Sequence, residues 1–434
     1  METKRTVGLW QGLAIVVGMI IGSGIFLKPG IVLSDAGSPL YALGAWVLGG
    51  IVTLASALSV AEIAANLPRA GGLYTYLEEL YGEKCGFLLG WVQSVISYPA
   101  SVAAQAIAFS VYASWFLPMG KAEQTLLAIG VLALLLVLNI LSTRMGGIIQ
   151  VLATVGKLIP IAVILALGFT RASMPGAAGL QTGLLGSAGT AVLGTLWAYD
   201  GWIGVTNMAG EMQNPKKNLP RVICIGILFV IAVYAAFNLV IFRLLPQEVI
   251  AASQTPGADA AVALLGPNGA AFLTAGIMVS VFGALNGYLM TAARVPQAMA
   301  SQGKLPFSKL LASLHPKFET PTAALVMQAL LAVVYLLTGT FNTLTDLLVF
   351  VLWIFFTLGV LGVFRLRKRG LSSKDSYRVP LYPVVPLIGA AGGIFILVST
   401  VLESPLRSLI GIGLTLVGLP VYAFLERRKR GSHD

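Results

Sequence analysis

The sequence predicts an all-helical membrane protein of twelve spans, and three observations predict it: an apolar composition, the lengths of the apolar runs, and the alternation of basic connections. Its 434 residues are 57% hydrophobic and only 10% charged. That is too little polar surface for a soluble domain to cover itself, so the solvent is lipid. A crossing helix needs about 20 apolar residues. Runs of roughly that length or longer fall at 10–34, 38–66, 86–117, 122–142, 146–170, 187–209, 219–244, 268–300, 322–340, 343–364, 380–402 and 404–425.

The formal charge of +11 does not mark a nucleic-acid surface, because the basic residues gather in every second connection rather than along one face. With Lys4 and Arg5 at one end and Arg427 to Arg430 at the other, 22 of the 28 Lys and Arg residues fall on one side of the twelve runs. Both termini are therefore expected in the cytoplasm of a bacterial inner-membrane protein. The short, polar and basic start, with no small-residue cleavage site after it, predicts that no signal is removed. Cys85 and Cys224 lie near a span end and within a span, with no obvious disulfide partner.

Spans 1 and 6 differ from the others. Gly22-Ser23-Gly24-Ile25-Phe26 interrupts the first and Trp197-Ala198-Tyr199-Asp200-Gly201-Trp202 the second, both near mid-depth. An offset of five spans reverses orientation, as in inverted repeats. Residues 1–170 would then form one five-span repeat and 187–364 its inverted partner. Residues 380–425 add spans 11 and 12, and 426–434 form a cytoplasmic tail.

Irregular backbone at membrane depth is tolerated only where it is buried in protein or lines a cavity, so both breaks are candidate binding sites. Unwinding at Gly22, with Ile21, Ser23, Gly24 and Ile25 around it, would free amides at the start of a half-helix to hold a carboxylate. The competing reading is close helix packing through Gly18 and Gly22, a GxxxG pair; both can hold. In span 6, carbonyls released at the end of one half-helix would accept from an ammonium group, and amide donors beside carbonyl acceptors suit an α-amino acid. Trp197 is placed to cover such a substrate. Asp200 reads two ways, as a cap of the following half-helix or as a proton carrier or counter-ion.

Lys157 sits about 11 residues into span 5, roughly 16 Å at helical rise, beyond easy snorkelling to water. A charge at that depth costs about 2.5–3.5 kcal/mol on insertion scales and marks function. We expect its ammonium near Gly18, in the space a sodium ion fills in sodium-coupled carriers. Tyr234 and Asn286 are polar groups at depth that suit either the pocket or inter-helix hydrogen bonding. No Walker loop, no HExxH, no histidine in a span and no acidic cluster is present. Metal, cofactor and enzymatic chemistry all lack their parts.

Four ordered motifs, GMIIGSGIF from Gly18, WAYDGW from Trp197, GEMQNPKKNLPR from Gly210 and FGALNG from Phe282, resemble the L-type amino acid transporters of the amino acid-polyamine-organocation superfamily. They are most like its bacterial alanine-serine-cysteine and serine/threonine exchangers. The resemblance implies a leucine-transporter-like five-plus-five fold, alternating access, and sodium-independent exchange of small neutral L-amino acids such as alanine, serine, threonine and cysteine; proton-coupled symport is the alternative. It assigns the carboxylate to Gly22, Ser23 and Gly24, and the amine to Leu196, Trp197 and Ala198, with Trp197 as gate. Lys157 matches a lysine that tethers span 1, and Tyr234 a tyrosine near the substrate. Leu117 to Glu123 lacks the cysteine by which animal members bond a heavy chain, so a monomer in the bilayer without that partner is expected.

Overall fold

The computed structural model describes residues 8–67, 72–141, 143–171, 188–203, 212–318, 320–373 and 376–430. Gly71, residues 204–209 of the expected sixth span, and Gly210 and Glu211 of the third motif lie outside them. Every element named below is helical. Helices α1 (Leu9–Ile20) and α2 (Gly24–Ala36) occupy the first run, and α3 (Pro39–Asn66) the second. Then come α4 (Leu73–Tyr81), α5 (Glu83–Val92), a π-turn over Gln93–Ser97, α6 (Tyr98–Ala113), α7 (Lys121–Leu141) and α8 (Thr143–Arg171). The second half holds α9 (Ala188–Ala198), α10 (Pro215–Leu244), α11 (Gln247–Ala252), α12 (Pro256–Ala292), α13 (Arg294–Ser301), α14 (Ser308–Leu311) and α15 (Thr322–Thr338). The chain closes with α16 (Phe341–Lys368), α17 (Val384–Glu403), α18 (Pro405–Leu416) and α19 (Gly418–Arg430).

Eight of these stretches are long and apolar enough to cross a membrane unaided. Shorter apolar helices, Gly156–Thr170, Ala188–Ala198 and Thr322–Thr338, lie within three of the remaining expected runs. The first run, as expected, is split between α1 and α2. One expectation needs correction. The residues between the seventh and eighth expected runs, 245–267, are not simply a connection but contain α11 and the opening of α12, because Pro256 can begin a helix and the chain kinks at Gly266 (φ 68°) before Pro267 instead of ending there. Between the second and third expected runs, α4 buries Leu73, Tyr76, Leu77 and Leu80 in protein. Leu73 and Leu80 reach Gly359 and Gly362 of α16, and the Tyr81 hydroxyl donates to the Leu358 carbonyl at 2.9 Å. Cys85 and Cys224 are half-buried free thiols.

The chain divides into two compact units. One comprises Met1–Gly86, Ala172–Ser253 and Leu352–Pro405; the other comprises Phe87–Arg171, Gln254–Val351 and Leu406–Asp434. In the first unit α3 packs against α9, α10 and α17, α1 against α10, and α2 against α9. In the second, α12 lies against α6 and α8, and α15 against α6 and α7. Lipid offers helices no hydrophobic gain for associating, so small residues must bring backbones close enough for dispersion and hydrogen bonding. A methyl group at Gly283 of α12 would collide with Ala153 of α8, and Gly276 faces the ring of Pro160. In the first unit Gly392 and Gly393 of α17 play the same part against Val52 of α3 and Thr357 of α16.

An ion pair between a fully buried carboxylate and a partly exposed guanidinium closes one end of the first unit. Glu62 of α3 is fully buried and receives Arg367 Nε and Nη2, each at 2.8 Å. It also accepts from the Val379 amide at 2.7 Å and the Ser372 hydroxyl at 3.3 Å. One turn on, Asn66 accepts from the Ser373 amide at 2.7 Å and donates to the Tyr377 carbonyl at 3.4 Å. The Arg367 guanidinium lies 3.7 Å from the centre of the Tyr382 ring. A carboxylate this far from water is tolerable only with such a set of donors.

Removing the arginine should therefore cost more than removing both charges. Arg367→Met is expected to destabilise the detergent-solubilised protein by about 3–5 kcal/mol, whereas Glu62→Met with Arg367→Met should recover most of that. Thermal melting of the single and double variants checks it, and equal losses in both would refute a charge-based account.

Candidate functional site

The break in the first run is short and local. Helix α1 ends at Ile20, with the Ile21 amide still bonded to Val17 O at 2.9 Å. Ser23 then caps α2, its carbonyl accepting from Phe26 and Leu27 N at 3.1 Å. Among the described residues, no backbone acceptor takes up the amides of Gly22, Ser23, Gly24 or Ile25. The Ser23 hydroxyl is fully buried and has no hydrogen-bond partner among them either. Buried orphan donors cost free energy and are rare, so a cluster of them at a helix N-terminus is a ready anion site.

The second break meets the first. Helix α9 ends at Ala198, after which Tyr199 N bonds to Thr195 O and Asp200 N to Trp197 O, both at 3.2 Å. Gly201 turns the chain with φ 104°, and a Cβ there would lie 2.9 Å from the Met19 carbonyl. Only glycine meets both demands. A Cβ at Gly24 would lie 2.6 Å from Ala198 Cα, so the start of α2 and the end of α9 touch backbone to backbone.

Tyr234 of α10 joins the two ends. Its buried hydroxyl lies 2.8 Å from the Ala198 carbonyl and 3.0 Å from the Ile20 carbonyl. With one proton it can satisfy only one of them at a time, so the other carbonyl retains an open lone pair. The Tyr234 ring packs against Trp46 (5.4 Å between centroids) and Tyr199 (5.1 Å). Tyr199 donates to the Trp46 carbonyl at 2.9 Å. Beside this aromatic group, Trp46 Nε1 and Asn238 Oδ1 are buried without partners among the described residues.

The structure thus brings together Ile21, Gly22, Ser23, Gly24, Ile25, Ala198 and Tyr234, with Leu196 and Trp197 in the last turn of α9. Trp197 is buried, at 4% exposure, and Asp200 is half-buried in the turn after it. Gly18, half-buried, lies in the last turns of α1. Lys157 and Asn286 belong to the other unit. Lys157 is buried within α8, and Asn286 accepts from Asn139 Nδ2 at 2.9 Å across α12 and α7. That pairing favours the inter-helix reading of Asn286. Among the described residues no group of three or more His, Cys, Asp or Glu could hold a metal.

Sequence reasoning missed Trp46, Asn238 and Asn139, and named Tyr199 only as part of the second break. Tyr199 lies inside the WAYDGW run, and Asn238 falls one turn after Tyr234 in an apolar span, so a search for polar side chains at i, i+4 would have found the latter. Trp46 and Asn139 carry no such signal.

Two half-helix ends meeting inside a helical membrane protein, one offering amides and the other carbonyls, define a membrane carrier for a zwitterion. The family model described as amino acid permease matches residues 7–420, and the chain belongs to that family: it is a multi-pass amino acid transporter. It is 40% identical to the serine/threonine exchanger SteT of Bacillus subtilis (strain 168) over 98% of both chains. Asc-type amino acid transporter 1 of Mus musculus is 32% identical over 96% of this chain and 81% of its own. Large neutral amino acids transporter small subunit 2 of Homo sapiens is 33% identical over 96% and 80%. These relatives are transporters, not enzymes.

Tyr234→Phe should leave a buried carbonyl without its donor, costing roughly 1–3 kcal/mol. Gly24→Ala should force α2 and α9 apart, at about 1–3 kcal/mol of overpacking. Amino acid uptake by both variants in proteoliposomes is expected to fall at least about tenfold, since either cost spans a factor of that order, while circular dichroism retains the helical signal. Wild-type uptake by Gly24→Ala would show that the backbone contact is dispensable.

Proposed function

We propose that this transporter exchanges small neutral L-amino acids, with serine, threonine, alanine and cysteine as the class, independently of sodium and by alternating access. The observation that carries the reading is the cluster of orphan donors at Ser23 and the start of α2, set directly against the end of α9. A carboxylate at Gly22, Ser23 and Gly24 and an ammonium group at Ala198 would satisfy both sets at once, without a charged side chain. Trp197 would cover the substrate, and Lys157 would tether span 1 near Gly18 in place of a sodium ion. The name of the Bacillus relative supports exchange of hydroxylated amino acids.

The same reading takes the protein as twelve spans in two inverted repeats with both termini cytoplasmic, working as a monomer without a disulfide-linked heavy chain. The composition of the compact units supports the repeat: one holds expected spans 1 and 2 with 6 and 7, the other 3 to 5 with 8 and 9. Four of the five corresponding pairs share a unit, and span 10, the counterpart of span 5, is divided between the two at 351/352.

Proteoliposomes preloaded with one unlabelled amino acid at a time, in sodium-free buffer, test the proposal. Labelled serine should enter only against an internal neutral amino acid and should ignore an imposed proton gradient. Entry into empty vesicles driven by inward protons would instead make the protein a symporter working through Asp200 or Lys157. Ser23→Ala removes one hydrogen bond to a charged group, worth about 1.5–3 kcal/mol, and should raise the apparent KM for serine by roughly tenfold to a hundredfold. An unchanged KM would remove Ser23 from the site.

A further inference from the structure

The connection from Gln302 to Phe318 takes no part in the substrate site, yet it is built in an unusual way. The preceding stretch ends at Ser301 and the next helix begins at Thr322, so the segment lies beyond the ends of both. It carries Lys304, Lys309 and Lys317, with a single acidic residue, Glu319, directly after it before the next helix. One side is anchored: Leu305 and Leu311 are buried in a cluster with Phe87, Met299, Ala300 and Leu425. That anchorage prevents the segment from rolling its other apolar side inward.

The other side faces out. Phe307 is 81% exposed, Leu310 61% and Leu314 51%. Scattered apolar side chains are ordinary on any surface, but three within eight positions, flanked by lysines, form an amphipathic interfacial face. Phe307 also holds φ 56° and ψ 32°, a left-handed backbone that costs a bulky residue free energy. Among the described residues the exposed ring gains little protein contact in return. Something outside the protein must cover it.

We infer that this face docks into the headgroup region of the leaflet and selects anionic phospholipid. Phe307, Leu310 and Leu314 enter the acyl boundary while the lysine heads, Lys309 and Lys317 both exposed, reach the phosphates. The charge pattern decides the occupant: a second copy of this chain would bring basic residues against basic residues, whereas an anionic leaflet complements them.

A single label tests this. Cys85→Ala and Cys224→Ala provide a background in which Ser313→Cys, on the segment but outside its apolar face, carries an environment-sensitive fluorophore in lipid nanodiscs. Doxyl-labelled phosphatidylglycerol is expected to quench it about fivefold or more beyond doxyl-labelled phosphatidylcholine. Lys304→Glu with Lys309→Glu and Lys317→Glu should level the two while leaving the melting temperature and elution profile intact. Should that variant fail to fold, 1 M salt must reduce the preference in the wild-type background. Quenching by neither lipid would mean another molecule covers the face, and equal quenching by both would mean apolar contact without anionic selectivity. Either result overturns the inference.

Discussion

The hydrogen bond from Tyr234 to the broken helix ends is the interaction on which the site depends. A helix interrupted at membrane depth releases amides on one side of the break and carbonyls on the other, and hydrocarbon supplies partners for neither. Two interruptions side by side double the number of orphans. One hydroxyl, held by its ring between Trp46 and Tyr199, serves the Ala198 carbonyl and reaches the Ile20 carbonyl. Because it carries a single proton, the satisfaction is incomplete, and so is that of the amides around Ser23. The unmet remainder is complementary to a zwitterion: on the proposed reading, the groups that are costly to bury unpaired are the groups that would make substrate binding favourable.

The close approach of α2 and α9 follows from the same economy. Backbone groups can serve as ligands only when no side chain stands between them, which explains glycine at positions 24 and 201 better than flexibility does. Gly24 admits Ala198, and Gly201 admits the Met19 carbonyl. Larger side chains would separate the half-helices and leave the same orphan groups facing apolar neighbours, a worse state than either a continuous helix or an occupied break.

Much of this was legible in the sequence because lipid removes alternatives. With no water to pair with backbone, an apolar run is a helix, and glycine with polar residues inside one is a break; the positions of Gly22-Ser23-Gly24 and of Ala198 to Gly201 therefore stand out unaided. What could not be read depends on facing and distance. Glu62 looks like an ordinary residue near a span end until Arg367, more than 300 positions later, is seen to enclose it. Asn286 likewise accepts from Asn139, 147 positions earlier, a pairing that no spacing in the sequence announces. The helical opening at Pro256 was obscured by proline and glycine, which usually announce a loop; here Pro256 starts a helix and Gly266 only bends it.

A site made of main-chain groups also constrains selectivity. Amides and carbonyls recognise the parts that all α-amino acids share, so discrimination falls to whatever surrounds the substrate side chain. Asp200 and the buried Lys28 carry charge close to the breaks along the chain, and the ring contacts there are Phe26 against Phe237 at 5.6 Å and the Trp46, Tyr199 and Tyr234 group. An unpaired cationic or anionic side chain buried among them would face a desolvation penalty of several kcal/mol, whereas a methyl or hydroxymethyl group would not. An apolar pocket separates neighbours differing by a methylene by only about 1–3 kcal/mol. On the proposed reading, neutral substrates would be favoured over charged ones by a wide margin and over one another by a narrow one, as expected of a carrier that accepts a class of small amino acids.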